Sequence, residues 1–114
     1  MNELDLAKET GMSSQQTYAP ASWTFLSNHG HVLVCLAHDP TARLRDVANW
    51  VGITERAVQK IVADLESAGV LTRSRAGRCN RYQIHPEQPL RHSVEAHRTV
   101  GALLAMILSH PEGG

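Results

Sequence analysis

The chain predicts a mainly α fold carrying one small β-hairpin, an α+β class. Three observations predict it. Two apolar runs of helical period are joined by a short glycine-containing turn, over residues 45–68. The apolar pattern then changes after Gly69 to two strand-like runs around a glycine. Further apolar helical stripes lie on either side, at 28–38 and 92–108.

The elements follow in order. Residues 1–21 are polar, end in Tyr-Ala-Pro-Ala, and read as a loosely ordered arm, with a short helix over Glu3–Thr10 as its one candidate element. Asn28 is a suitable cap for a helix running to about His38, where Asp39-Pro40 stops it. Val32, Leu33, Leu36 and Ala37 form its expected buried stripe, and Trp23, Phe25 and Leu26 precede it. A strand-like Ala-Arg-Leu-Arg follows at 42–45. Val47, Ala48 and Val51 mark a short helix over about Arg45–Val51, closed by Gly52, since glycine accepts the left-handed conformation. Thr54 then caps a helix over about Glu55–Ala68, which Gly69 terminates. Strands are expected at 70–75 and 80–85 with 76–79 between them, and Pro86 and Pro89 end regular structure. The last helix is expected over 92–108, capped by Ser93. This divides the chain into an arm (1–21), a domain (22–90) and a C-terminal helix (91–110).

With 114 residues, one domain with a modest core is expected. Aromatic residues are only 4%, so aliphatic side chains must fill that core. Formal net charge is zero, but it is unevenly spread. Residues 43–81 carry eight basic side chains against four acidic ones, and the flanking segments are net acidic. Such asymmetry favours a localised surface for phosphates. The acidic N-terminus lacks a signal peptide's basic start and apolar stretch, and no run is long enough to span a bilayer, so a cytoplasmic chain with no membrane partner is expected. Cys35 and Cys79 show no pairing pattern and read as reduced thiols.

At 100° per residue, Val58, Ile61, Val62 and Leu65 fall on one side of the second helix of the pair. Arg56, Lys60, Ala63 and Ser67 fall opposite, with Gln59 on the flank. Arginine or lysine suits guanine edges in a major groove, glutamine suits adenine, and recognition helices use their N-terminal residues in this way. Glu55 suits either a cytosine edge or simply the helix dipole. An ordinary solvated helix face is the plain alternative. The next segment weighs against it: Arg73, Arg75, Arg78 and Arg81 crowd two strands and their connection, where they reach phosphates or a narrow minor groove, and Gly77 lets the tip approach closely.

Taken together, LRDVANWVGITERAVQKIVADLESAGVLTRSRAGRCNRYQIH resembles the winged helix-turn-helix regulators of the MarR and ArsR types, over about residues 23–86. The resemblance implies a transcriptional regulator binding double-stranded DNA. By it, Thr54, Glu55, Arg56, Gln59 and Lys60 map to the recognition helix and Arg75–Arg81 to the wing. Such regulators bind as dimers, each subunit reading a half-site. The apolar stripe Ala96, Val100, Leu103, Leu104, Ile107 and Leu108 is the expected homodimer surface, beside the plainer reading of ordinary intramolecular core.

Other functions find less support in the residues. No GxSxG, P-loop or HExxH occurs, so no enzyme is expected. His92, Glu95 and His97, with His110 beyond, lack the i, i+4 histidine spacing that presents two ligands from one helix face, and His97 falls in the apolar stripe; no metal or other cofactor is expected, and any effector is unknown. Arg78 and Arg81 flank Cys79, an arrangement that favours a reactive thiolate, beside the plainer reading of an exposed thiol. Two alternatives remain: a metal- or redox-sensing repressor of the ArsR type, and a winged helix used for protein–protein contact.

Overall fold

The computed structural model describes residues 22–109; the expected arm, its short helix and His110 lie outside them. Four helices and one antiparallel hairpin follow in the order α1 (Asn28–His38), α2 (Leu44–Val51), α3 (Glu55–Ser67), β1 (Leu71–Ala76), β2 (Cys79–Ile84) and α4 (Val100–Leu108). A helix-turn-helix followed directly by a two-stranded ribbon is the winged-helix arrangement.

The cap of helix α1 lies one residue earlier than expected. Ser27 Oγ accepts from the Gly30 N–H at 3.4 Å, so Ser27 is the cap and Asn28 the first helical residue. Asn28 Oδ1 instead accepts from His31 Nδ1 at 3.1 Å. The helix ends at Asp39, whose carboxylate accepts from the Thr41 N–H and hydroxyl. The strand-like reading of residues 42–45 is not realised: Arg43 is extended and caps α2, while Leu44 and Arg45 already belong to that helix. Leu44 joins the apolar period of Val47 and Ala48, and burial of this stripe favours helix over strand. Gly52 (φ 86°) closes α2 with its N–H on the Ala48 carbonyl, and Ile53 packs against the core. Thr54 caps α3, its Oγ1 accepting from the Ala57 N–H at 3.0 Å.

The hairpin strands each lie one residue nearer the tip than expected, with the same residues opposite one another. Its strands pair Leu71 with Ile84 through Ala76 with Cys79, leaving only Gly77 and Arg78 as the loop. Gly77 adopts φ 66°, the left-handed value that a two-residue hairpin loop requires. The open edge of β2 is tied inward: the Tyr82 N–H donates to the Pro40 carbonyl at 2.9 Å.

The core is aliphatic apart from Tyr82. It gathers Val32, Leu33 and Leu36 of α1, Val47 of α2, Val58, Ile61, Val62 and Leu65 of α3, and Leu71 of β1. The last helix is the main departure from expectation. It begins at Val100, capped by Thr99 Oγ1 on the Ala102 N–H, and residues 91–98 form exposed turns. Ser93 is therefore no cap, and Ala96 and His97 are exposed rather than part of an apolar stripe. The physical reason lies in the backbone. Leu90 N–H bonds the Arg98 carbonyl, Val100 N–H the Gln88 carbonyl and Gly101 N–H the Pro86 carbonyl, so the chain is pinned to segment 86–90 before the helix starts. Val100 and Leu104 are buried in the same core as α1. The expected boundary near residue 90 is thus not a boundary between cores.

Candidate nucleic-acid interface

The exposed side of α3 is built by its buried side. Burying Val58, Ile61, Val62 and Leu65 leaves Glu55, Arg56, Gln59, Lys60 and Ala63 facing solvent in the first two and a half turns. Thr54 sits at the cap, its hydroxyl oxygen committed to Ala57, and Glu55 occupies the first turn, where the helix dipole favours an anion. Arg56 and Gln59 have no ion-pair or side-chain hydrogen-bond partner among the described residues. Lys60 has one: its Nζ lies 3.6 Å from Asp64 Oδ1, one turn on. Asp64 Oδ2 also meets His29 Nε2 of α1 at 2.9 Å. The hydrogen bond from His29 is the largest influence and lowers the Asp64 carboxyl below its ordinary value; desolvation opposes it, and the charge of Lys60 adds a lesser lowering.

The four hairpin arginines are not one cluster. The register puts Arg73 and Arg75 on the hairpin face that carries Leu71 and Tyr82, and Arg81 on the other face beside Ser74. Arg78 occupies the loop with Gly77. Arg73 Nη2 lies 3.3 Å from Glu66 Oε1 at the end of α3. Arg75, Arg78 and Arg81 are exposed, with no ion-pair partner among the described residues. A Cβ at Gly77 would meet nothing within 4 Å, so only its backbone angle demands glycine.

Three exposed residues on α2 and at its cap were not among the expected site residues. Arg43 and Arg45 flank the start of α2, and Trp50 near its end is 56% exposed. The basic run containing both arginines was the available signal.

The expected dimer stripe divides. Val100 and Leu104 face the subunit's own core, which corrects their assignment to a surface. Leu103 and Leu108 are half-buried, while Ile107 (38% exposed) and Met106 (69%) face outward. Phe25 is 93% exposed, stacked edge-on against Trp23 with ring centroids 5.0 Å apart. A groove of about 900 Å³ runs between Phe25, Leu33, Leu65, Leu90 and Leu103.

Cys79 is exposed at the hairpin end; Cys35 is partly buried, and burial pushes its thiol up. Among the described residues no three histidine, cysteine or acidic side chains come together as metal ligands would, and no helix is long and apolar enough to cross a membrane. His92 Nδ1 is taken up by the Val94 N–H, and a Glu95 carboxylate oxygen by the His92 N–H.

No model of a known protein family matches the chain, and a search of curated proteins finds no match. Among solved structures, the chain is similar to the PcaV transcriptional regulator from Streptomyces coelicolor, a structure holding that protein's natural ligand, with 22% identity and a TM-score of 0.49 over 77% of this chain. The chain spans 66% of that protein's length.

Proposed function

We propose that this chain is a transcriptional regulator that binds double-stranded DNA sequence-specifically as a homodimer. The observation that carries the reading is the exposed face of α3, where Arg56, Gln59 and Lys60 stand together next to a hairpin bearing Arg75, Arg78 and Arg81. In the proposed complex α3 enters the major groove. Arg56 and Lys60 donate to guanine O6 and N7, and Gln59 pairs with adenine N6 and N7. The small side chain of Ala63 permits close approach. Arg75, Arg78 and Arg81 neutralise phosphates or enter a narrow minor groove, which positions the helix without itself reading sequence. Lys60 reaches a base by leaving Asp64, an exposed partner that holds it only weakly.

Dimerisation is proposed through the outward side of α4. Ile107, with Leu103 and Leu108 at its edges and Met106 beside it, forms that side, while Val100 and Leu104 support it from within. The helix contains no charged residue, so a two-fold axis there brings no like charges together.

Selection of bound sequences from a random duplex library tests the reading. A palindromic site is expected, bound less tightly as salt rises. Repeating the selection with Arg56→Ala and Lys60→Ala together is expected to erase the preference, each good base contact being worth roughly 1–3 kcal/mol of discrimination. Absence of duplex binding at low salt defeats the proposal. It favours instead a protein-contact module, for which exposed Trp50, Trp23 and Phe25 supply the anchoring residue types.

A further inference from the structure

Arg73 differs from the other hairpin arginines in what it touches. Its guanidinium is 3.3 Å from Glu66, and the two side chains are only 43% and 31% exposed. Glu66 lies in the last turn of α3 and Arg73 is the third residue of β1, so the pair closes across the Ala68–Val70 turn that joins them. The turn itself is tight: the Gly69 N–H bonds the Glu66 carbonyl, the Val70 N–H bonds the Leu65 carbonyl, and Gly69 adopts φ 78°.

Arg73 also sits at a particular rung of the hairpin. It pairs with Tyr82, whose ring is buried and whose N–H is held by Pro40. Two ties to the body therefore meet on one rung, one from each strand. Beyond it every residue from Ser74 to Cys79 is exposed. A two-stranded ribbon with no buried face has little to hold its direction, so the angle of the tip is set where the last ties act. On the β2 side the tie is a backbone bond that any residue would make. On the β1 side it is a charge pair that needs these two side chains.

We infer that Glu66 and Arg73 form a latch that sets the direction of the hairpin relative to α3, and that Arg73 is a positioning residue rather than a phosphate ligand. The second half rests on the DNA-binding reading above; the first half does not. An arginine spent on phosphate leaves Glu66 uncompensated beside a polyanion. An arginine held by Glu66 keeps that carboxylate neutralised and leaves phosphate binding to Arg75, Arg78 and Arg81.

The test uses the full chain with Arg73→Gln, Glu66→Gln, the exchange Glu66→Arg with Arg73→Glu, and Arg78→Gln as the phosphate control. Amide hydrogen exchange across residues 74–81 is read without DNA. Duplex affinity is read as a function of salt on the selected site. The latch predicts faster exchange in both single glutamine variants, confined to the hairpin, and wild-type exchange restored by the charge exchange. It predicts that Arg73→Gln leaves the salt slope unchanged, whereas Arg78→Gln lowers it by about one. Unaltered hairpin exchange in both single variants overturns the latch whether or not the protein binds DNA. A slope lowered by about one in Arg73→Gln, with the charge exchange binding worse than either single variant, makes Arg73 a phosphate ligand. If the wild type binds no duplex, the DNA reading falls and the exchange data still decide the latch.

Discussion

Asp64 is the residue at which two elements and two basic side chains meet. One carboxylate oxygen takes His29 of α1 and the other takes Lys60 of the same helix. Because its carboxyl is held below the ordinary value, the ionised form stabilises the fold at every pH above the unfolded value of about 3.9. That contribution disappears as the pH falls through the lower, folded value. His29 is the largest cause, so His29→Gln is expected to move the Asp64 titration back toward the ordinary range, as followed by carboxyl NMR. An unmoved Asp64 would leave the hydrogen bond without its assigned role. None of this was legible along the chain, since His29 and Asp64 lie far apart in sequence. The helical spacing of Lys60 and Asp64 was legible, and so was the cap at Thr54, which needs only a local backbone geometry.

Among the elements, α3 was the most readable, because its apolar stripe lies between a capping residue and a glycine, whereas α2 offered a stripe and Gly52 but no capping side chain. The last helix was the least readable. Its apolar period extends backward through Ala96, but a stripe predicts a helix only where there is something to bury against. Segment 86–90 instead takes up the backbone donors of Val100 and Gly101, and its own Leu90 N–H donates to the Arg98 carbonyl. Gly101 records that contact: a Cβ there would stand 2.8 Å from the Cβ of Pro86 and 3.1 Å from its carbonyl oxygen. Gly101→Ala must push α4 away from Pro86, although alanine is the better helix former. A loss of about 1–3 kcal/mol, typical of overpacking, is expected in urea denaturation. A gain in stability would show that α4 is not seated on Pro86.

For the molecule as a whole, the proposed dimer is the reading that its exposed apolar surface puts to the test. The outward side of α4 leaves Met106 and Ile107 in solvent on an uncharged helix, a surface of the kind that proteins cover on association. Ile107→Glu is expected to yield a folded monomer by sedimentation, with a half-site bound more weakly than the full palindrome is bound by wild type. Leu104→Glu is expected to unfold the subunit, because it buries an unpaired charge in the monomer's own core. Equal behaviour of the two variants would mean that α4 has only one role. The total charge of zero carried no information at this scale; the surplus of four basic residues between 43 and 81 did, because folding gathers that segment into adjoining helices and a hairpin.

By itself the sequence determined the helix-turn-helix, its caps at Thr54 and Gly52, the hydrophobic side of α3 and the presence of an arginine-bearing hairpin. These depend on spacing within one element, and spacing is preserved in the chain. The tertiary structure alone decided which hairpin arginine is tied to Glu66, which side of α4 is core, where α4 begins, and that His29 reaches Asp64. Each of these is a contact between elements, governed by crossing geometry and by the competition of several backbone and side-chain partners, and neither is written in the periodicity of a single segment.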